Sequence, residues 1–134
     1  MIELGIILSP LVPSPIHQNI KDKIVAASEY DTVHILRTLH NTSRVFKNKV
    51  SQEVVSIERR PSGAKFEDVR ELVSGQRGRL VYDIGDPDYG IWTAGQVIGL
   101  IKDSPTCEVL VNRIEREAEE SIARMSRLVT SAKL

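Results

Sequence analysis

Residues 85–101 read Gly85-Asp86-Pro87-Asp88-Tyr89-Gly90-Ile91-Trp92-Thr93-Ala94-Gly95-Gln96-Val97-Ile98-Gly99-Leu100-Ile101. The run holds the single tryptophan and four of the eight glycines. An acidic turn bounded by Gly85 and Gly90 leads into small residues that predict a helix from about Ile91 to Ile101. Gly95 and Gly99 then share one face of that helix. Two readings of them stand side by side. Without Cβ atoms they let another backbone come close. Alternatively, a flat ligand or its phosphate lies over the helix start, where free N–H groups and a partial positive charge collect. Gln96 would add an amide that both donates and accepts.

The flanks read mainly as amphipathic helix. Upstream, Ser14-Pro15 has the chemistry of a helix start, and Ile16, Ile20, Ile24 and Ala27 form a stripe that carries a helix to about Tyr30. Thr32–Leu36 suits a short strand or a helix continuation equally. His40–Ser43 is a turn, and Arg44–Lys49 looks like a short basic helix start. A second helix follows to Arg59, closed by Arg60-Pro61-Ser62-Gly63. Lys65–Val73 gives a third, and Ser74–Arg79 a flexible basic loop. Downstream, Asp103-Ser104-Pro105-Thr106 caps a long helix over 105–128. Its stripe is Val109, Leu110, Ile114, Ala118, Ile122 and Met125, with Glu120–Arg124 as an ion pair one turn apart. The expectation is a mainly α chain of about five helices with at most one short strand. It divides into a divergent extended or disordered start (1–14), a helical body (15–128) and a frayed tail (129–134).

Composition narrows the function classes. The 134 residues suffice for one domain, and 18 basic residues balance 18 acidic ones. Zero net charge argues against nucleic-acid or membrane-surface binding through bulk charge. The lone Cys107 cannot form an internal disulfide or a cysteine metal cluster, which makes a reducing, cytoplasmic setting the default. Leu4–Val12 is apolar but lacks a basic start and is shorter than the ~20 residues of a membrane span.

No motif for catalysis or metal binding emerges from spacing. Asp86 and Asp88 resemble a calcium loop only faintly, and Val97 stands where its final glutamate belongs; capping and solvation of the turn is the better reading. His17, His34 and His40 share no helical face. Cys107 opens a helix, which favours thiolate, yet helix packing explains it better. Arg44, Lys47, Lys49, Arg59, Arg60, Arg77 and Arg79 are interrupted by acidic residues and read as solvated faces.

Several ordered blocks carry a resemblance. They are Pro15-Ile16-His17, Asp31-Thr32-Val33, Arg37–Asn48, Leu72–Gly78, Gly85–Gln96 and Ile101–Cys107. From about Ile16 to Ile122 the chain resembles the C-terminal part of the nitronate monooxygenase family, formerly 2-nitropropane dioxygenases. The resemblance implies an enzyme with FMN at the mouth of a TIM barrel, oxidising alkyl nitronates to carbonyl compounds and nitrite. Some relatives are quinone or enoyl reductases. The family's eight-stranded core, ~200 residues or more, precedes the matched region, and its catalytic histidine and phosphate loops belong there. No residue here is therefore assigned as catalytic.

The resemblance places Gly95 and Gln96 beside the cofactor and Trp92 and Thr93 beside the substrate. The expected ligands are FMN and a small nitronate or quinone-type molecule, with no nucleic acid, membrane or metal. The chain alone is expected to be inactive. The competing expectation is a non-catalytic helical module that pairs with a barrel partner or with a copy of itself.

Overall fold

The computed structural model describes residues 16–131, so the expectations for 1–14 and for 132–134 of the tail lie outside the described residues, while 129–131 continue the last helix. Helix α1 (Gln18–Val25) is capped by His17, whose Nδ1 accepts from the Asn19 N–H at 3.2 Å. It buries Ile20 and Ile24 and stops five residues earlier than the stripe suggests. Asp31 causes the stop from a distance: its carboxylate accepts from the Ser28 N–H and hydroxyl at 2.8 and 2.9 Å, turning Glu29–Asp31 into a 3₁₀ turn.

Strand β1 (Thr32–Ile35) pairs antiparallel with β2 (Ser43–Phe46), in the register Val33 opposite Val45 and His34 opposite Arg44. The helix start expected at Arg44 is therefore a strand. Val45 and Phe46 are a β-branched and an aromatic residue, which suit a pleated surface. They also have partners on both sides, because Val45 bridges to Thr93 and the Phe46 N–H donates to the Trp92 carbonyl at 3.0 Å. The β1–β2 connection contains left-handed backbone at Leu36 (φ 58°) and His40 (φ 55°). The buried carboxylate of Glu58 holds it, accepting from the Leu36 N–H, the Thr38 N–H and the Thr38 hydroxyl.

Helix α2 (Lys49–Glu58) matches its predicted span and buries Val50, Val54 and Ile57. Helix α3 (Phe66–Val69) is a single turn, shorter than expected. Helix α4 (Gly75–Ile84) replaces the expected loop at 74–79 and ends on Gly85 in left-handed conformation (φ 74°). Residues 91–95 run extended against β2, and Gln96–Leu100 form a 3₁₀ turn instead of the predicted α-helix. Two glycines in five residues weaken an α-helix by roughly 1 kcal/mol each, and the strand edge offers this backbone better hydrogen bonds. Helix α5 (Cys107–Ser131) closes the order. The chain is mainly helical, as the sequence implies, around one two-stranded sheet.

That sheet divides the core. One face packs Phe46, with Trp92 and Ala94, against Ile20 and Ile24 of α1, Ala27 just beyond it and Val81 of α4. The other packs Ile35 and Val45 against Val54 and Ile57 of α2 and Val69 of α3. Burying each of the Val, Ile and Phe side chains among these favours the fold by about 1.5–3 kcal/mol. The extended 91–95 segment is thus anchored by Trp92 and Ala94 in the first cluster and by Ile91 against the second, while Thr93 stays exposed.

Candidate functional site

The 85–96 stretch is held by four anchors. At its start, the Gly85 N–H closes α4 on the Val81 carbonyl at 3.0 Å, and the His17 imidazole sits where a Cβ on Gly85 would be. Only glycine serves there, for both conformation and space. Asp86 then accepts from the Asp88 N–H at 2.9 Å, shaping the turn as an aspartate commonly does.

Asp88 reaches the start of α2. Its carboxylate accepts from the Lys49 N–H at 3.2 Å and lies 3.2 Å from the Lys49 ammonium. Partial burial opposes its charge, but the Lys49 N–H and ammonium outweigh this and hold the Asp88 carboxyl below the usual range.

Asn48, the cap of α2, is the third anchor. Its Oδ1 accepts from the Ser51 N–H at 2.8 Å, and its Nδ2 donates to the carbonyls of Pro87 and Gly90 at 2.6 and 2.7 Å. One buried side chain caps a helix and ties down the turn. Arg77 of α4 is the fourth, donating through Nε and Nη2 to the Tyr89 carbonyl at 3.1 and 2.8 Å. Its guanidinium also lies over the Tyr89 ring, 5.6 Å from the centroid.

Close backbone approach accompanies these bonds. A Cβ on Gly78 would meet the Ile91 carbonyl oxygen at 2.6 Å, and one on Gly90 would meet the Arg77 carbonyl carbon at 2.7 Å. Gly99 approaches the Glu29 N–H in the same way, 2.7 Å from its absent Cβ. Close packing at Gly99 therefore occurs, between two 3₁₀ turns.

The four residues singled out by the sequence separate by direction. Trp92 is buried at 2% exposure, stacked on Phe46, and its Nε1 donates to the Pro87 carbonyl at 3.1 Å. Ala94 points the same way. Thr93 and Gln96 point out and are exposed, and Gly95 between them is half-buried. The rim a ligand can meet is thus Thr93, Gly95 and Gln96, with Trp92 as the inner wall that fixes it. Asn48, Arg77 and Gly78 are the supporting residues that the sequence reading missed. An asparagine directly before an apolar-periodic run is a cap signal, which was legible; its grip on residues 87 and 90 was not.

The rim suits only part of a flavin. A hydroxyl, an amide and a half-exposed glycine can border the edge of a flat ring. No basic side chain lies in the 92–96 run to hold a phosphate, and the nearby start of α2 is filled by Asn48 and Asp88. Among the described residues, no group of three or more His, Cys, Asp or Glu is arranged to hold a metal ion. Among them, too, no helix is long and apolar enough to cross a membrane.

No protein-family model matches the chain. Among solved structures, the chain is similar to FabK from Thermotoga maritima, with TM-score 0.72 and 25% identity over 83% of this chain and 34% of that one. A single-substitution mutant of the same protein matches with TM-score 0.66 and 24% identity over 84% of this chain and 32% of that one. The likeness to FabK is one of fold. The chain spans about a third of the length of the solved chains it matches.

Proposed function

We propose that this chain is the ligand-facing cap of an FMN-dependent oxidoreductase of the nitronate monooxygenase-like superfamily. The likeness to FabK over 83% of the chain carries this reading, together with the ordered sequence blocks. Two thirds of FabK has no counterpart in the chain, and the family resemblance assigns the flavin phosphate to that part. When bound, FMN supplies reversible two-electron chemistry.

The chain's own share is binding and exclusion of water. Gln96 offers its amide to the ring edge or to an anionic substrate oxygen. The Thr93 hydroxyl supplies a second donor beside it. Gly95 leaves room for the ring. Trp92 is a positioning residue, keeping Thr93 turned outward while the strand bridge at Val45 keeps the segment from shifting.

The finer reading is oxidation of alkyl nitronates to carbonyl compounds and nitrite. The likeness to FabK favours a second one, reduction of a conjugated carbonyl or quinone by a nicotinamide cofactor. A hybrid with this segment in place of the matching third of FabK separates them. Hybrid protein that takes up FMN and releases nitrite from an alkyl nitronate supports the first. Nicotinamide oxidation without nitrite supports the second. A hybrid that holds FMN and does neither sinks the proposal.

A further inference from the structure

The loop between β1 and β2 is held more firmly than a surface connection requires. Leu36 (φ 58°) and His40 (φ 55°) both have left-handed backbone. For a bulky leucine, here only 7% exposed, that conformation is strained. Two backbone bonds and one carboxylate keep it in place. The Asn41 N–H donates to the Leu36 carbonyl at 3.1 Å, and the His40 N–H to the Arg37 carbonyl at 3.3 Å. The Glu58 carboxylate, 8% exposed, accepts from the Leu36 N–H at 2.8 Å, the Thr38 N–H at 3.1 Å and the Thr38 hydroxyl at 3.0 Å. Burying a carboxylate is costly, and this one gives both of its oxygens to the loop.

The groups that the loop presents are unused. Arg37, His40, Asn41 and Thr42 are exposed, and their side chains have no hydrogen-bond or ion-pair partner among the described residues. A guanidinium, an imidazole, an amide and a hydroxyl thus stand on six residues of fixed backbone. No Asp or Glu occurs between Asp31 and Glu53, so no acid on the hairpin competes for Arg37. The loop is also well placed. The Val45–Thr93 bridge is antiparallel. Following β2 back from Val45 to Ser43 therefore follows the extended segment forward from Thr93 to Gly95. The loop and the Gly95–Gln96 part of the rim lie towards the same end of the hairpin.

We propose that the Arg37–Thr42 loop is a phosphate-binding site, for the phosphate monoester of a ligand other than the flavin. The planar fork of Arg37 pairs with two phosphate oxygens. Asn41 and Thr42 supply donors for the third. A carboxylate, with two oxygens, is satisfied by the fork alone, so the larger donor set fits phosphate better. Glu58 is a positioning residue, which fixes the loop without touching the anion. That the rest of the ligand extends to the rim depends on the proposed function; the phosphate site does not.

Amide shifts of the ¹⁵N-labelled chain, with inorganic phosphate added at fixed pH and ionic strength, test the site. Saturable shifts centred on residues 36–42 are expected, with acetate binding more weakly. Arg37→Ala should weaken phosphate about tenfold, the loss of a charge-assisted pair. Glu58→Gln gives the decisive readout. Removing a negative charge would by itself tighten anion binding, whereas a loosened loop weakens it. Thr38→Val removes only the hydroxyl bond and should weaken phosphate about threefold, which keeps the test open if Glu58→Gln does not fold. No shift, shifts centred elsewhere, or equal affinity for acetate would overturn the phosphate site. Unchanged or tighter binding by both Glu58→Gln and Thr38→Val would overturn the positioning role. Because phosphate alone is the probe, this result is separate from any flavin shift at residues 93–96.

Discussion

The indole of Trp92 lies on the ring of Phe46, with centroids 4.3 Å apart and planes inclined by 14°. The pair joins the extended 91–95 segment to β2 through side chains as well as backbone. Trp92→Ala should therefore cost about 3–5 kcal/mol of stability. Trp92→Phe keeps an aromatic ring but loses the Nε1 bond to Pro87, so a loss of about 1 kcal/mol is expected from that bond. Urea unfolding followed by circular dichroism measures both. Equal losses for the two variants would contradict the stacking account.

Asn48 makes a sharper test, because a single-atom change reverses half its chemistry. Asn48→Asp keeps the acceptor for the Ser51 N–H. It removes both donors and sets a carboxylate against the Pro87 and Gly90 carbonyls. The expected loss is about 2–4 kcal/mol, read as a lower urea midpoint. A stability equal to that of the parent chain would show that the turn is held by other bonds.

Two glycines of α4 should respond in opposite directions. A Cβ on Gly75 meets nothing within 4 Å, whereas one on Gly78 meets the Ile91 carbonyl oxygen at 2.6 Å. Gly75→Ala should be neutral or stabilising by up to about 1 kcal/mol. Gly78→Ala should destabilise by about 1–3 kcal/mol, the cost of forcing extra bulk into a packed contact. Thermal melts of the two variants suffice, and equal melting temperatures would refute the close approach.

Acid should weaken the fold through a small set of carboxylates. The Ser28 N–H and hydroxyl hold the Asp31 carboxyl below its ordinary value of 3.8. Asp88 is lowered as described, and Arg113 lowers Asp103 through a bidentate pair at 3.1 and 2.7 Å. A carboxyl lowered in the folded state adds stability above its unfolded value, and this is lost as pH falls through the folded one. The urea midpoint should hold steady down to about pH 5 and decline below about pH 4. Ser28→Ala should make that decline shallower.

The sequence made some of this legible and hid the rest for physical reasons. Helix α2 is clear because Val50, Val54 and Ile57 repeat at helical spacing. Helix α5 is clear from its stripe, although nothing local reveals that the stripe stays exposed among the described residues. Helix α4 was misread because Gly75 and Gly78 look like loop residues; Gly78 is needed for contact with Ile91, a residue thirteen positions on. The 91–101 segment was misread because its partner is β2, and strand pairing across the chain overrides a local helical pattern. Within the rim, the residue types were visible, but the inward turn of Trp92 follows from the Val45–Thr93 bridge and no local pattern encodes it.

In the proposed function, Thr93, Gly95 and Gln96 form the face that meets a flavin or its substrate. Amide chemical shifts of the ¹⁵N-labelled chain, followed while FMN and then an alkyl nitronate are added, test it most directly. Saturable shifts centred on residues 93–96 are expected, abolished by Gln96→Ala, with Arg113 and the rest of α5 unmoved. Shifts confined to another surface, or none at millimolar ligand, would contradict it.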